Sequence, residues 1–179
     1  VDPDYVRALV ALEDRRFWWH PGVDPIAVVR AAVGNTSAGA VTSGASTLTM
    51  QLVRMLEPRP RTVTSKLIEV WRAVGLELRM SKRDILSAYL SFAPYGRNLE
   101  GVEAASQAAF GHSAKALSPD EIATLLATTR LVGMECPGLH SVYANLDLNF
   151  AANSLTEPTL GYRVTKWDPR FRRLTMELE

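Results

Sequence analysis

Apolar residues recur at helical spacing through the first two thirds of the chain, and nothing before residue 130 alternates like a strand. The pattern predicts helices over about 4–12, 25–34, 46–56, 64–79, 82–92, 98–110 and 118–129. Asp24 and Pro25 suit the start of the second, and Ser46 can cap the third, which Pro58 and Pro60 end. Ser118 and Pro119 open the last, and Gly111 breaks the one before it. Residues 34–45 are small and polar with three glycines, and are expected to form a mobile loop. After Thr129 no period is sustained. Gly133, Pro137, Gly138 and Pro158 interrupt any helix there, so residues 131–179 are expected to be poorly ordered or loosely packed.

Composition narrows the class. With 179 residues, 47% of them hydrophobic, one domain with a real core is expected. A formal net charge of +1 argues against a dedicated nucleic-acid binder. The single Cys136 rules out an intrachain disulfide, and His20, His112 and His140 lack zinc-ligand spacing, so no metal site is expected from protein motifs. No apolar run approaches the roughly 18 residues of a membrane span.

Three segments carry candidate chemistry. On the third helix Leu48, Leu52, Met55 and Leu56 share one face, and Thr47, Gln51 and Arg54 share the other. That second face is either solvated or a surface for sugar and anion, the helix N-terminus favouring phosphate. On the fourth helix Leu67, Trp71, Val74 and Leu78 form a stripe opposite Lys66, Glu69 and Arg72. The polar trio reads as a surface salt-bridge ladder or as a carboxylate held between cations beside a charged substrate. Glu13-Asp14 precedes Phe17, Trp18 and Trp19; these aromatics are either plain core or the setting of a carboxylate tuned as a general base. His20 reads as a structural histidine.

Taken in order, the segments Glu13-Asp14-Arg15-Arg16-Phe17-Trp18-Trp19-His20-Pro21-Gly22, Gly44-Ala45-Ser46-Thr47-Leu48-Thr49-Met50-Gln51-Leu52-Val53-Arg54, Lys66 to Glu69, and Lys82-Arg83-Asp84-Ile85-Leu86-Ser87-Ala88-Tyr89-Leu90-Ser91 resemble the motifs of a known family. It is the glycosyltransferase domain of class A penicillin-binding proteins and monofunctional peptidoglycan glycosyltransferases. The stretches around Leu56–Thr62 and Ala93–Gly96 look most like its C-type branch. Met50, Met55, Ser65, Ser87 and Ser91 depart from the family's usual residues, and the resemblance stops near Ala127.

The resemblance implies a mainly α, lysozyme-like, two-lobed domain with a cleft, over 1–130, followed by an unrecognised tail, 131–179. It implies that a lipid-linked GlcNAc-MurNAc-peptide is polymerised with inversion and loss of lipid pyrophosphate. Glu13 would be the base and Glu69 the second catalytic carboxylate, orienting the donor side or a metal. Asp14, Ser46, Thr47, Gln51, Arg54 and Lys66 would bind substrate. A divalent metal such as Mg²⁺ would accompany the pyrophosphate, with Glu69 the residue beside it. A membrane surface would be the partner, on the outer face of the bacterial cytoplasmic membrane, with the transpeptidase domain and anchor lying outside this chain. A lysozyme-like glycan hydrolase and a non-catalytic domain that binds the precursor are the competing readings.

Overall fold

The computed structural model describes residues 1–30, 46–60, 62–96, 99–130, 162–168 and 173–178. The expected loop at 34–45 and the tail segment 131–161 lie outside the described residues. Within them the chain is mainly helical. The helices are α1 (Pro3–Glu13), α2 (helical at 25–30), α3 (Leu48–Leu56), α4 (Val63–Glu77), α5 (Lys82–Phe92), α6 (Val102–Phe110) and α7 (Pro119–Arg130).

Each start has a local cause. Asp2 accepts the Asp4 N–H ahead of α1, and Asp24 accepts those of Ile26 and Ala27 ahead of α2. Ser81 and Asp84 close a capping box on α5. α3 is capped by Thr47, not by Ser46: the Thr47 hydroxyl accepts the Met50 N–H. The expected helix at 98–110 begins only at Val102. Gly101 sits there at φ 84°, and a Cβ on it would lie 2.7 Å from the Ser91 carbonyl oxygen, so the chain turns at the glycine before the helix starts.

The main core joins α1, α3, α5, α6 and α7 through Tyr5, Leu9, Leu48, Leu52, Ile85, Tyr89, Val102 and Leu125, together with Phe17 from the turn after α1. A smaller cluster of Met50, Val53 and Ala73 joins α3 to α4. α3 therefore packs on both sides. All residues from Leu48 to Val53 are buried, so the two-faced reading of this helix does not hold, while Leu56, placed on its apolar face, is exposed. Burying a leucine completely is worth about 1.5–3 kcal/mol, and α3 contributes two to the main core.

The tail contains regular structure that the sequence pattern does not predict. β1 (Tyr162–Asp168) pairs antiparallel with β2 (Arg173–Leu178), from Tyr162↔Leu178 to Asp168↔Arg173. Leu174, Met176 and Leu178 do alternate. In β1 the alternation that begins at Tyr162 and Val164 is broken by a bulge before Lys166, which hides a period of two from a sequence scan.

Candidate active site

Glu13 is the last residue of α1 and is half-buried. Its Oε2 accepts a hydrogen bond from Gln51 Nε2 at 3.1 Å. Gln51 is buried in the middle of α3, and its Oε1 accepts the hydroxyl of Tyr89, on α5, at 2.9 Å. The surroundings of this carboxylate differ from the expected aromatic cluster. Phe17 is buried, but Trp18 is about half exposed and Trp19 is 88% exposed. Buried phenols border Glu13 instead. Burial pushes the Tyr5 hydroxyl up to about 12, despite its hydrogen bond to Tyr95, and the Glu13 charge adds to the shift. Burial, then the charge of Glu13, raises Tyr89 well above its ordinary value. Both phenols stay protonated at neutral pH.

The turn after α1 is stapled to the start of α3. Asp14 is buried, with Oδ1 accepting from His20 Nε2 at 2.8 Å and Oδ2 accepting the Leu48 N–H at 3.0 Å. The Thr47 hydroxyl donates to the Gly22 carbonyl at 2.5 Å. Gly22 adopts φ 86° and lies against α4, where a Cβ would meet the Ala73 carbonyl oxygen at 2.7 Å. Asp14 and Thr47, expected to bind substrate, thus face inward with their polar atoms occupied by the protein. Their hydrogen bonds tie the turn after Glu13 to the start of α3. His20 is structural, as its residue type suggests.

One turn beyond Gln51, Arg54 reaches α4. Its Nε donates to Glu69 Oε1 at 2.8 Å and its Nη2 to Glu69 Oε2 at 2.9 Å. Lys66 Nζ approaches the same Oε2 at 3.4 Å and donates to the Ser46 hydroxyl. Glu69 is only 6% exposed. Burial works to raise its pKa, but the hydrogen bonds and charge of Arg54, with Lys66, outweigh it and hold the carboxyl below its ordinary value. Desolvation lowers the Lys66 pKa, with Glu69 opposing and Arg54 reinforcing the shift. The Lys66 side chain remains 39% exposed, and the trio carries a net positive charge to that side.

The surface ladder over Lys66, Glu69 and Arg72 does not form. Glu69 turns into the protein, and Arg72 pairs with Glu57 at 2.8 Å. Most of the apolar stripe of α4 faces out: Leu67 and Leu78 are exposed and Trp71 is 79% exposed, while Val74 is half-buried. Lys82 is the first residue of α5. Its ammonium pairs with Glu77 at 2.7 Å and sits 4.3 Å from the centre of the Phe17 ring, while Thr49 donates to the same Glu77 oxygen. This ties α3, α4 and α5 to the turn that follows Glu13.

The residues do not fit a metal ion held by Glu69. Both its oxygens are engaged by cations, and among the described residues no three His, Cys, Asp or Glu side chains come together.

Of the expected site residues, Glu13 and Gln51 thus form one end of a continuous arrangement, and Arg54, Glu69, Lys66 and Ser46 the other. A family model described as Transglycosylase matches residues 1–137. The chain is 50% identical over 125 residues to penicillin-binding protein 1C of Escherichia coli (strain K12), which covers 70% of this chain and 16% of the relative. It is 41% identical over 140 residues to penicillin-binding protein 1A of Aquifex aeolicus (strain VF5), covering 77% of this chain and 19% of the relative. It is 40% identical over 130 residues to the biosynthetic peptidoglycan transglycosylase of Mesorhizobium japonicum, covering 72% of this chain and 55% of the relative. The chain thus spans less than a fifth of these two penicillin-binding proteins and about half of the third relative. With the match running through every helix among the described residues, the chain belongs to the transglycosylase family.

Proposed function

We propose that the chain is a peptidoglycan glycosyltransferase that extends glycan strands from a lipid-linked GlcNAc-MurNAc-peptide. One observation carries the reading. Gln51 and Arg54, one turn apart on a buried helix, hold a half-buried carboxylate at one end and a two-cation cluster at the other. A transfer with a pyrophosphate leaving group needs both.

In the proposed step the 4-hydroxyl of the acceptor attacks the anomeric carbon of the growing chain. Glu13 takes the hydroxyl proton as the new C–O bond forms. The bond to the pyrophosphate breaks on the opposite face, its electron pair leaves with the phosphate, and the configuration inverts. Lys66 and Arg54 offset the charge that develops there, and Glu69 fixes their directions. Because they are oriented before the reaction, little reorganisation is needed in the transition state. A glycan hydrolase acting through the same carboxylate would have no use for the cation cluster.

The acceptor and donor both carry lipid, so the site works at a bilayer surface, which we place on the outer face of the cytoplasmic membrane. The outward stripe of α4, with Leu67 and Trp71 exposed, supports that partner: apolar and aromatic side chains of this kind enter the headgroup region of a bilayer. No helix among the described residues is long and apolar enough to cross a membrane.

The test is incubation of the protein with labelled lipid-linked disaccharide in detergent micelles. Polymer supports the transferase. Shortening of added glycan would point to a hydrolase, and neither product to a binding domain.

A further inference from the structure

We propose that Tyr89 is a positioning residue for the transfer: its hydroxyl fixes the direction of the Gln51 amide and so aims an N–H at Glu13. The inference rests on the reading of Glu13 as the base.

A glutamine amide has two ends of nearly equal shape, and what distinguishes them is their hydrogen-bonding partners. Gln51 is buried, so both of its ends must be satisfied by protein. One end lies 3.1 Å from a Glu13 carboxylate oxygen, which can only accept when ionised. The other lies 2.9 Å from the Tyr89 hydroxyl, which can donate. The arrangement that satisfies every atom runs one way, from the phenol to the amide carbonyl and from the amide N–H to the carboxylate. Turning the amide over would set its carbonyl oxygen against the carboxylate.

The surroundings reinforce this direction. Tyr89 is buried in the main core between Ile85, Leu86 and Ala93, where water has little access to replace its hydroxyl. Burial keeps the phenol protonated across the working pH range, so the donor is always present. The nearby phenols are otherwise engaged: Tyr5 and Tyr95 hydrogen-bond to one another at 2.6 Å. Tyr89 is thus the only side chain among the described residues that donates to Gln51 Oε1.

For the reaction this matters because Gln51 holds Oε2 of Glu13. Among the described residues it is the only hydrogen-bond partner of that carboxylate, which leaves Oε1 to meet the acceptor hydroxyl. A released amide frees the carboxylate to rotate, and the base no longer waits at the attacking oxygen. Tyr89 does not touch substrate, so substrate binding should be left as it is.

The experiment is a double-mutant cycle on the full chain, with kcat and KM measured on lipid-linked disaccharide and thermal unfolding followed by circular dichroism. Tyr89→Phe keeps the ring and loses the hydroxyl. It is expected to lower kcat about 10- to 100-fold, the scale of a misaligned catalytic group, with KM nearly unchanged. Gln51→Leu breaks the chain from the other end and should lower kcat at least as much. Tyr89→Phe added to Gln51→Leu should then cost nothing more, because the hydroxyl acts only through the amide. Tyr95→Phe removes a comparable buried hydroxyl without touching Gln51 and should leave kcat within about threefold, the ordinary scatter of such effects.

The proposal is overturned if Tyr89→Phe keeps wild-type kcat, if its cost is the same with and without Gln51, or if the variant does not fold. In that last case the hydroxyl serves the core. Glu13→Gln separates this from the underlying reading. An active Glu13→Gln removes the base itself, whereas an inactive one beside a fully active Tyr89→Phe removes only the role of Tyr89.

Discussion

Arg54 and Glu69 meet through two parallel hydrogen bonds, 2.8 and 2.9 Å long, that cross from α3 to α4. The fork of a guanidinium matches a carboxylate in this way, so the pair fixes an orientation as well as a distance. It also explains why the polar face of α4 turns inward while leucine and tryptophan face out. The charge of Glu69 is met across the helix pair, and the cations it orients remain at the edge of the protein.

That pair makes stability depend on acid. The Glu69 carboxyl titrates below its ordinary value of 4.5 in the folded protein, so its contribution is fully present above that value and is lost as the pH falls through the lower, folded one. Glu69→Gln should lower unfolding free energy at neutral pH by about 2 kcal/mol, the worth of hydrogen bonds to a charged group. It should also give a flatter stability curve below pH 4.5 than wild type. Urea unfolding at several pH values reads both. Curves that stay parallel down to strong acid would show that the pair contributes no linkage.

Glu13→Gln should keep the fold and lose the reaction. The replacement still offers an oxygen to Gln51 Nε2 but cannot take a proton, and loss of a general base costs about 10²–10⁴-fold. Polymer formation measured beside thermal unfolding tests this. Near wild-type turnover in a folded variant would remove Glu13 from its role.

Asp14 should behave as a support and not as a ligand. Asp14→Ala leaves the Leu48 N–H and His20 Nε2 without partners, and should cost about 1–3 kcal/mol for each buried group left unsatisfied. Asp14→Asn, which keeps one acceptor, should cost less. A rise in KM with unchanged stability would instead mean that Asp14 contacts substrate.

The outward stripe of α4 should govern binding to lipid. Leu67→Ser with Trp71→Ser removes two exposed apolar side chains, each worth about 1.5–3 kcal/mol when fully transferred from water. Sedimentation with anionic vesicles should show affinity falling by at least about tenfold, while the melting temperature is unchanged or rises. Equal vesicle binding by the variant would move the bilayer contact to another face.

Parts of this arrangement can be read from the sequence, and the reason differs for each part. Helical spacing puts Gln51 with Arg54 and Lys66 with Glu69, and the structure pairs Gln51 with Glu13 and both Arg54 and Lys66 with Glu69. Spacing does not tell which face of a helix the rest of the chain will cover. For α4 the usual expectation inverts, because Glu69 finds its partner on α3 while Leu67 and Trp71 stay exposed among the described residues. The hydrogen bonds of Tyr89 and Asp14 cannot be read from spacing, for another reason. Their partners, Gln51 and Leu48, lie 38 and 34 positions away, and only the packing of α5 and α1 around α3 brings them together. The hairpin of β1 and β2 escapes detection because one bulge disrupts its alternation.

The burial of α3 from Leu48 to Val53 makes it a ruler. Gln51, which holds Glu13, and Arg54, which grips Glu69, are separated by three positions, an advance of about 4.5 Å along the axis. That gap can change only in steps of one residue, each adding about 1.5 Å and about 100° of rotation. Side chains around the site can be exchanged and retuned one at a time. A single insertion within Gln51–Arg54 would swing one end out of register with the other, so the length of this segment is less free to vary than its composition.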